Sequence, residues 1–125
     1  MSDGVTVDVS QLNRLAVGLD HLADDVIEQA EAAVKKTALD IEATGKAFAP
    51  VDTGALRNSI GHDIEGDLRR SGRIEAEIGP TVEYAPFVEF GTSRTAPQAF
   101  MGPALDRHTP AFITALERLA ERGPQ

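Results

Sequence analysis

The sequence predicts an α+β fold, in which a long N-terminal amphipathic helix and a C-terminal helix accompany an antiparallel sheet built on a hairpin. Apolar residues recur at three- and four-residue steps in the first third of the chain. Two later segments alternate apolar and polar residues around a glycine-containing connection, and the last segment returns to helical spacing. At 125 residues the chain can bury one core, so we expect a single domain over residues 1–125.

The N-terminal part is predicted to contain a short strand at residues 4–9 and then a helix region at residues 10–48. Valine at every second position indicates the strand, and Ser10 can cap the first helical turn. The apolar stripe is read as one helix, or as two helices in series with a bend near Asp24 and Asp25. A stripe of roughly 40 residues is too long for one small domain to cover, so we expect part of it to contact another subunit.

A cluster of turn residues at 50–59 predicts a sharp corner between this helix and the sheet. The helix must end before Pro50, because the residue preceding a proline is disfavoured in helical geometry. We interpret the cluster as a structural corner, in which Asp52 or Thr53 caps the turn and Gly54 permits an unusual backbone angle. The corner residues are Pro50, Asp52, Thr53, Gly54 and Leu56.

The middle of the chain is predicted to form an antiparallel hairpin over residues 59–79, with a polar tip that contains glycine. The following segment, residues 82–92, is either a third strand or a short helix. Pro86 excludes a central strand there, because proline cannot donate to the hydrogen-bond ladder. A loop rich in turn residues then follows at residues 91–101.

The C-terminal helix is predicted over residues 103–122. Pro103 suits the first helical position, where its missing N–H group has no intrahelical partner. Pro110 removes a donor from the helix interior, so we expect either a kink there or a fresh start capped by Thr109.

The composition argues against several classes of protein. The absence of cysteine excludes disulfides, thiolate metal ligands and cysteine nucleophiles. A net charge of -8 argues against general nucleic-acid binding, because phosphates are repelled over most of the surface. No apolar run is long enough to span a bilayer and the N-terminus lacks signal-peptide features, so we expect a soluble protein made inside the cell.

The polar residues do not predict a metal or cofactor site. His21, His62 and His108 lie far apart without the i, i+4 pairing of many zinc sites, and no glycine-rich phosphate-binding motif is present. An enzymatic alternative remains, in which Asp52 and His62 form an acid–base pair.

The arginines raise a second question, because three of them concentrate at one tip of an acidic chain. Arg69, Arg70 and Arg73 lie at the tip of the predicted hairpin, and Arg94 lies in the later loop. They are either solvated loop residues or contacts to DNA phosphates or to an acidic face of a neighbouring subunit.

Two motifs, in this order and about this far apart, resemble the head–tail joining and tail-component proteins of long-tailed bacteriophages. The first is "APVDTGALRNSI", which matches the family pattern at Pro50, Asp52, Thr53, Gly54, Leu56, Ser59 and Ile60. The second is "YAPFVEFGT", which matches at Tyr84, Ala85, Val88, Glu89, Phe90, Gly91 and Thr92. The "PAL" opening of the last helix matches at Pro103, Ala104 and Leu105. The chain departs from the family at Gly102, where a basic residue is common, and at Pro110.

The resemblance implies a non-catalytic virion protein without cofactor, present in the host cytoplasm during assembly. It implies a ring-forming subunit, by analogy a hexamer, at the head–tail junction or the tail end: a neck, tail-completion or tail-terminator protein. Its partners would be sister copies and other neck and tail proteins, with no membrane. An acidic body suits a ring around DNA, because a wall that repels phosphate lets the genome pass without specific binding.

We expect the subunit contacts of such a ring in the second motif and its following loop. Phe100 and Met101 are apolar in an otherwise polar stretch, although such residues also fill their own core. The candidate interface residues are Tyr84, Val88, Glu89, Phe90, Gly91, Thr92, Phe100 and Met101.

Overall fold

The structure, a computed structural model, describes residues 5–11, 14–19, 24–51 and 54–121. The fold class is α+β, as predicted. In chain order the elements are β1 (Val5–Gln11), β2 (Arg14–Leu19), α1 (Asp24–Phe48), α2 (Ala55–Ser59), β3 (Gly61–Asp67), α3 (Leu68–Ser71), β4 (Arg73–Gly79), α4 (Ala85–Phe90) and α5 (Met101–Ala120).

The four described strands form an antiparallel sheet in the order β1-β2-β4-β3. One face of the sheet packs against α1, which in turn packs along α5. Alternation along β4 places Ile74, Ala76 and Ile78 on this inner face, where all three are buried. In the register of β2 with β4, Leu15 lies opposite Ala76 and Val17 opposite Ile74, so the core continues across both strands.

The helix region predicted at residues 10–48 is wrong at its start, because residues 14–19 form strand β2 and the helix begins at Asp24. The leucines of this segment recur every three or four residues, as in a helix. Leu15 and Val17 also fit the two-residue alternation of a strand. Pairing with β4 decides between the two patterns, because it buries both side chains completely. Gly18 also weakens a helix at this place.

This correction removes the argument that the apolar stripe needs another subunit to cover it. Helix α1 has 25 residues, and the apolar side chains along its inner side are buried in the chain's own core: Val26, Ala30, Val34, Ala38 and Ile41. Close approach of α5 depends on a small residue, because a Cβ atom at Gly45 would lie 2.7 Å from Sδ of Met101. An oligomer must therefore be argued from other surfaces.

The later elements resolve the alternatives left open by the sequence. The predicted hairpin forms from β3 and β4, and its tip is the one-turn helix α3. The segment at residues 82–92 contains a short helix, α4, and not a third strand. Helix α5 continues through Pro110, so a fresh start at Thr109 is wrong; the Thr109 hydroxyl donates to the carbonyl of Leu105 at 2.7 Å.

Candidate functional site

Helix α4 presents an aromatic surface to solvent. Pro86 lies at its start, where proline is tolerated, and Gly91 ends it with a positive φ of 76°. Helical spacing turns Ala85 and Glu89 inward and leaves the aromatic residues on the other side. Tyr84, Phe87 and Phe90 are 43%, 61% and 65% exposed, and we call these three residues the α4 ridge.

The α4 ridge belongs to a larger apolar region. Among the described residues, six large hydrophobic side chains are exposed, and five of them lie on the ridge or on the corner. The corner contributes Phe48 at the end of α1 and Val51 after it. Exposed apolar side chains are common singly, but a cluster of aromatic residues is typical of a surface that contacts another protein.

Two clefts flank α4 and give the surface its shape. The first, which we call the corner cleft, has a volume of about 480 Å³ and is lined by Pro50, Gly54, Ala55, Leu56, Tyr84, Val88 and Gln98. The second has a volume of about 290 Å³ and lies on the other side of α4, between the end of β4 and the start of α5. The corner cleft brings both sequence motifs together, so residues that are distant in the chain share one surface.

The buried carboxylate of Glu89 fixes α4 against α5. Its Oε1 atom accepts hydrogen bonds from the backbone N–H groups of Phe100 at 3.3 Å and Met101 at 2.9 Å, and its Oε2 atom accepts one from Gly102 at 3.1 Å. These N–H groups form the start of α5 and have no partner within that helix. A negative charge also interacts favourably with the helix N-terminus. Glu89 is only 6% exposed, so it supports the ridge from below and is not itself a surface contact.

The residues after α4 hold the following loop in place. The Thr92 hydroxyl accepts hydrogen bonds from the backbone N–H groups of Arg94 and Thr95, and the N–H of Gln98 donates to the carbonyl of Val88. Gly91 is required here, because a Cβ atom at its positive φ would lie 2.8 Å from the Thr95 carbonyl oxygen. Gly91 and Thr92 therefore have a local structural role in the chain.

Phe100 and Met101 belong to the interior of the chain. They are 1% and 2% exposed and pack in the same core as Ile41 and Ile78. Their side chains are not available on the surface of the chain, so they are not candidates for a contact with another protein. They fill the core beneath α4, which is the alternative that the sequence left open.

The corner is described except at Asp52 and Thr53, which lie outside the described residues. Gly54 adopts a φ of +80° and precedes α2, and its carbonyl accepts a hydrogen bond from the N–H of Asn58. Leu56 is buried in the core, and Pro50 lines the corner cleft. The described part of the corner thus has turn geometry and joins α1 to the hairpin.

Helix α3 and its neighbours hold the arginines at the hairpin tip. Asp67 caps α3 by accepting hydrogen bonds from the N–H groups of Arg69 and Arg70. Arg69 also lies 3.0 Å from Oδ1 of Asp24, and Arg73 lies 3.6 Å from Oε1 of Glu75. Arg94 is exposed in the loop after α4, far along the chain from this tip.

The outer face of the hairpin carries four acidic residues. Asp63 pairs with Glu77 and Glu65 with Glu75 across the antiparallel register, and the four side chains line a small cavity. The negative charge of these four side chains makes this face electrostatically unfavourable for phosphate. The arginines of the tip therefore lie at the end of an acidic surface, not within a basic one.

In the described part of the chain, His62 is paired with Glu42. Its Nδ1 atom lies 2.5 Å from Oε1 of Glu42, so the ring connects edge strand β3 to α1. His108 is separate from it and bonds to Thr44 through Nε2 at 2.7 Å. Asp52 and His21 lie outside the described residues.

Replacing Glu42 by glutamine tests the tie between β3 and α1. The hydrogen bond from His62 lowers the pKa of Glu42 below its ordinary value of 4.5, and Lys46 contributes in the same direction. A carboxyl group whose pKa is lowered on folding stabilises the folded state at a pH above its ordinary pKa. This contribution is lost as the pH falls through the pKa of the folded state. We expect Glu42→Gln to lower the free energy of unfolding by about 0.5–1 kcal/mol near neutral pH, and the difference to be smaller near pH 3. Urea denaturation at both pH values measures it; an equal difference at both would contradict the assignment.

The described residues contain neither a metal-binding cluster nor a membrane-spanning helix. No group of three or more histidine or acidic side chains there is arranged to hold a metal ion. None of the helices in this part of the chain is long and apolar enough to cross a membrane.

Comparison with known proteins gives one family match. Residues 13–91, more than half of the chain, match the family model described as "Bacteriophage HK97-gp10, putative tail-component". The match spans the corner and α4 together with the hairpin between them. Neither the curated proteins nor the solved structures gave a match to the chain.

The interface residues predicted from the sequence did not include Phe87, although it is exposed on the α4 ridge. In a strand, Tyr84 and Phe87 would point to opposite faces, whereas in a helix residues three apart share a face. The signals for a helix were present, because Pro86 fits its first turn and Gly91 its end.

Proposed function

Because the chain belongs to the bacteriophage HK97-gp10-like tail-component family, we propose that it is a non-catalytic structural subunit that assembles with sister copies into a closed ring. The ring lies at the head–tail junction or at the tail end and contacts other neck and tail proteins. We propose six copies, following the symmetry that the resemblance to phage tails implies. The observation that carries the proposal is the exposed α4 ridge within the matched residues.

The burial pattern around α4 supports a permanent protein contact. Phe87 and Phe90 are exposed although α4 is fixed from below by three hydrogen bonds to Glu89. A fixed apolar surface of this kind is typical of interface centres, where aromatic residues are enriched and charged ones are depleted. Of the candidate interface residues, Tyr84 and Phe90 lie on the ridge and Val88 lines the corner cleft.

The charge distribution supports a passage for DNA that does not bind it specifically. The chain has a net charge of -8, and the outer hairpin face carries Asp63, Glu65, Glu75 and Glu77. In our proposal this acidic face borders the lumen, where it repels phosphate and lets the genome pass. The arginines near it, Arg69, Arg70 and Arg73, contact acidic groups of their own chain or of a neighbour, as Arg69 does with Asp24.

A joining assay tests the proposed function. Phage made without this protein should accumulate heads and tails that do not join, and the purified full chain should restore joined, infectious particles. Normal particles made in its absence would contradict the proposal. A His62→Asn chain should restore joining as well as the native chain; if it folds and assembles but does not restore joining, the enzymatic alternative is favoured.

A further inference from the structure

Helix α1 exposes one leucine with two alanines near it on the side that faces away from the core. Leu39 is 53% exposed and is the one exposed large hydrophobic residue of the described chain outside the corner and α4. Ala32 and Ala43 lie on the same side of α1 and are exposed as well. We call these three residues the α1 outer face. Ala43, one turn after Leu39, leaves room beside it for a bulky side chain, and Lys35 and Lys36 border Leu39 on the other side.

The α1 outer face and the α4 ridge lie on opposite sides of α1. Leu39 and Phe48 are nine residues apart, or about two and a half helical turns, so their side chains point in opposite directions. Phe48 lies on the core side of α1, together with the buried residues Ala30 and Ile41, and α4 packs on the same core through Ala85. A subunit thus exposes apolar surface on two opposed sides.

We propose that the α4 ridge of one copy packs on the α1 outer face of the next copy. This inference rests on the proposed ring and specifies how its subunits meet. Two different surfaces in contact make a head-to-tail interface, which closes into a ring when the rotation between copies allows it. A contact of the ridge with itself would give a two-fold dimer and would leave Leu39 exposed.

Charge and area support this pairing. Lys35 lies one turn before Leu39 and Glu83 lies beside Tyr84, and neither forms an ion pair within the described part of the chain. Ridge-to-α1 contact brings these opposite charges to one interface, whereas ridge-to-ridge contact brings two copies of Glu83 together. Three aromatic side chains of roughly 150–250 Å² each, about half exposed, supply a substantial part of the roughly 800 Å² per partner that a stable interface buries.

Cross-linking between single-cysteine variants tests the pairing, because the native chain has no cysteine. The variants are Ala43→Cys beside Leu39 and Pro86→Cys beside the ridge, with Ala115→Cys on the exposed side of α5 as a matched control. These substitutions keep Leu39 and the three aromatic side chains. The full-length chains are mixed in pairs at high concentration, treated with a short bis-maleimide and analysed by peptide mass spectrometry. We expect the Ala43→Cys and Pro86→Cys mixture to give at least about ten-fold more dimer than either variant with the control, because contact raises the local concentration of the two thiols.

The other outcomes separate this inference from the function on which it rests. If Pro86→Cys cross-links to itself as efficiently, or no pair exceeds the control, head-to-tail packing of these surfaces is wrong. The joining assay judges the structural role independently of this result. A chain that restores joining but fails the cross-linking test has the proposed function with a different interface.

Discussion

Replacing Glu89 by alanine should lower the free energy of unfolding by about 3 kcal/mol, because it leaves three backbone donors at the start of α5 without their acceptor. Hydrogen bonds to a charged group are stronger than neutral ones, and the Phe100 and Met101 donors are buried. Without the carboxylate, α4 loses its anchor to α5. The loss should appear in urea denaturation as a lower midpoint with an unchanged slope.

Two variants control this measurement. Glu83→Ala removes an exposed carboxylate just before α4 and should change the stability by less than about 0.5 kcal/mol. Glu89→Gln keeps one acceptor oxygen but no charge, so it should fall between the alanine variant and the native chain. If Glu89→Ala is no less stable than Glu83→Ala, Glu89 does not fix α4 to α5.

Replacing both Phe87 and Phe90 by serine should prevent assembly and leave the fold intact. Both side chains are more than half exposed, so their removal leaves no cavity in the core. Aromatic residues at an interface centre contribute about 2 kcal/mol or more each, so the affinity between copies should fall roughly 10²–10³-fold. Sedimentation over a range of concentrations measures this change.

The matched control places two substitutions on another exposed surface. Ala111 and Ala115 lie on the solvent side of α5, and replacing both with serine should leave assembly unchanged. Circular dichroism and urea denaturation establish that each variant is folded. Undiminished assembly of the Phe87→Ser, Phe90→Ser chain would show that copies meet through another surface.

The sequence was sufficient for the fold class and for the hairpin, because period-two alternation in β4 is unambiguous. It was not sufficient for the start of α1. Leu15 fits both a helical and a strand pattern, and only its pairing opposite Ala76, far along the chain, selects the strand. The oligomer contact was predicted from the length of the N-terminal helix, so that argument is lost because the helix begins only at Asp24.

The candidate site was predictable in its location but not in the role of each residue. The second motif marks the surface, yet Glu89 and Phe90 in it have opposite exposures, 6% and 65%. Whether Glu89 caps a helix or faces a partner depends on where residues 100–102 lie, which is set by packing between distant segments. The burial of Phe100 depends on the same packing between distant segments.

The most direct test of a ring built through the α4 ridge is a reconstruction of the intact phage particle by electron cryomicroscopy. We predict a closed ring of copies at the head–tail junction or tail end, with Phe87 and Phe90 of each copy buried against its neighbour. Copies present singly in the particle, or in a ring with these two residues facing solvent, would contradict it.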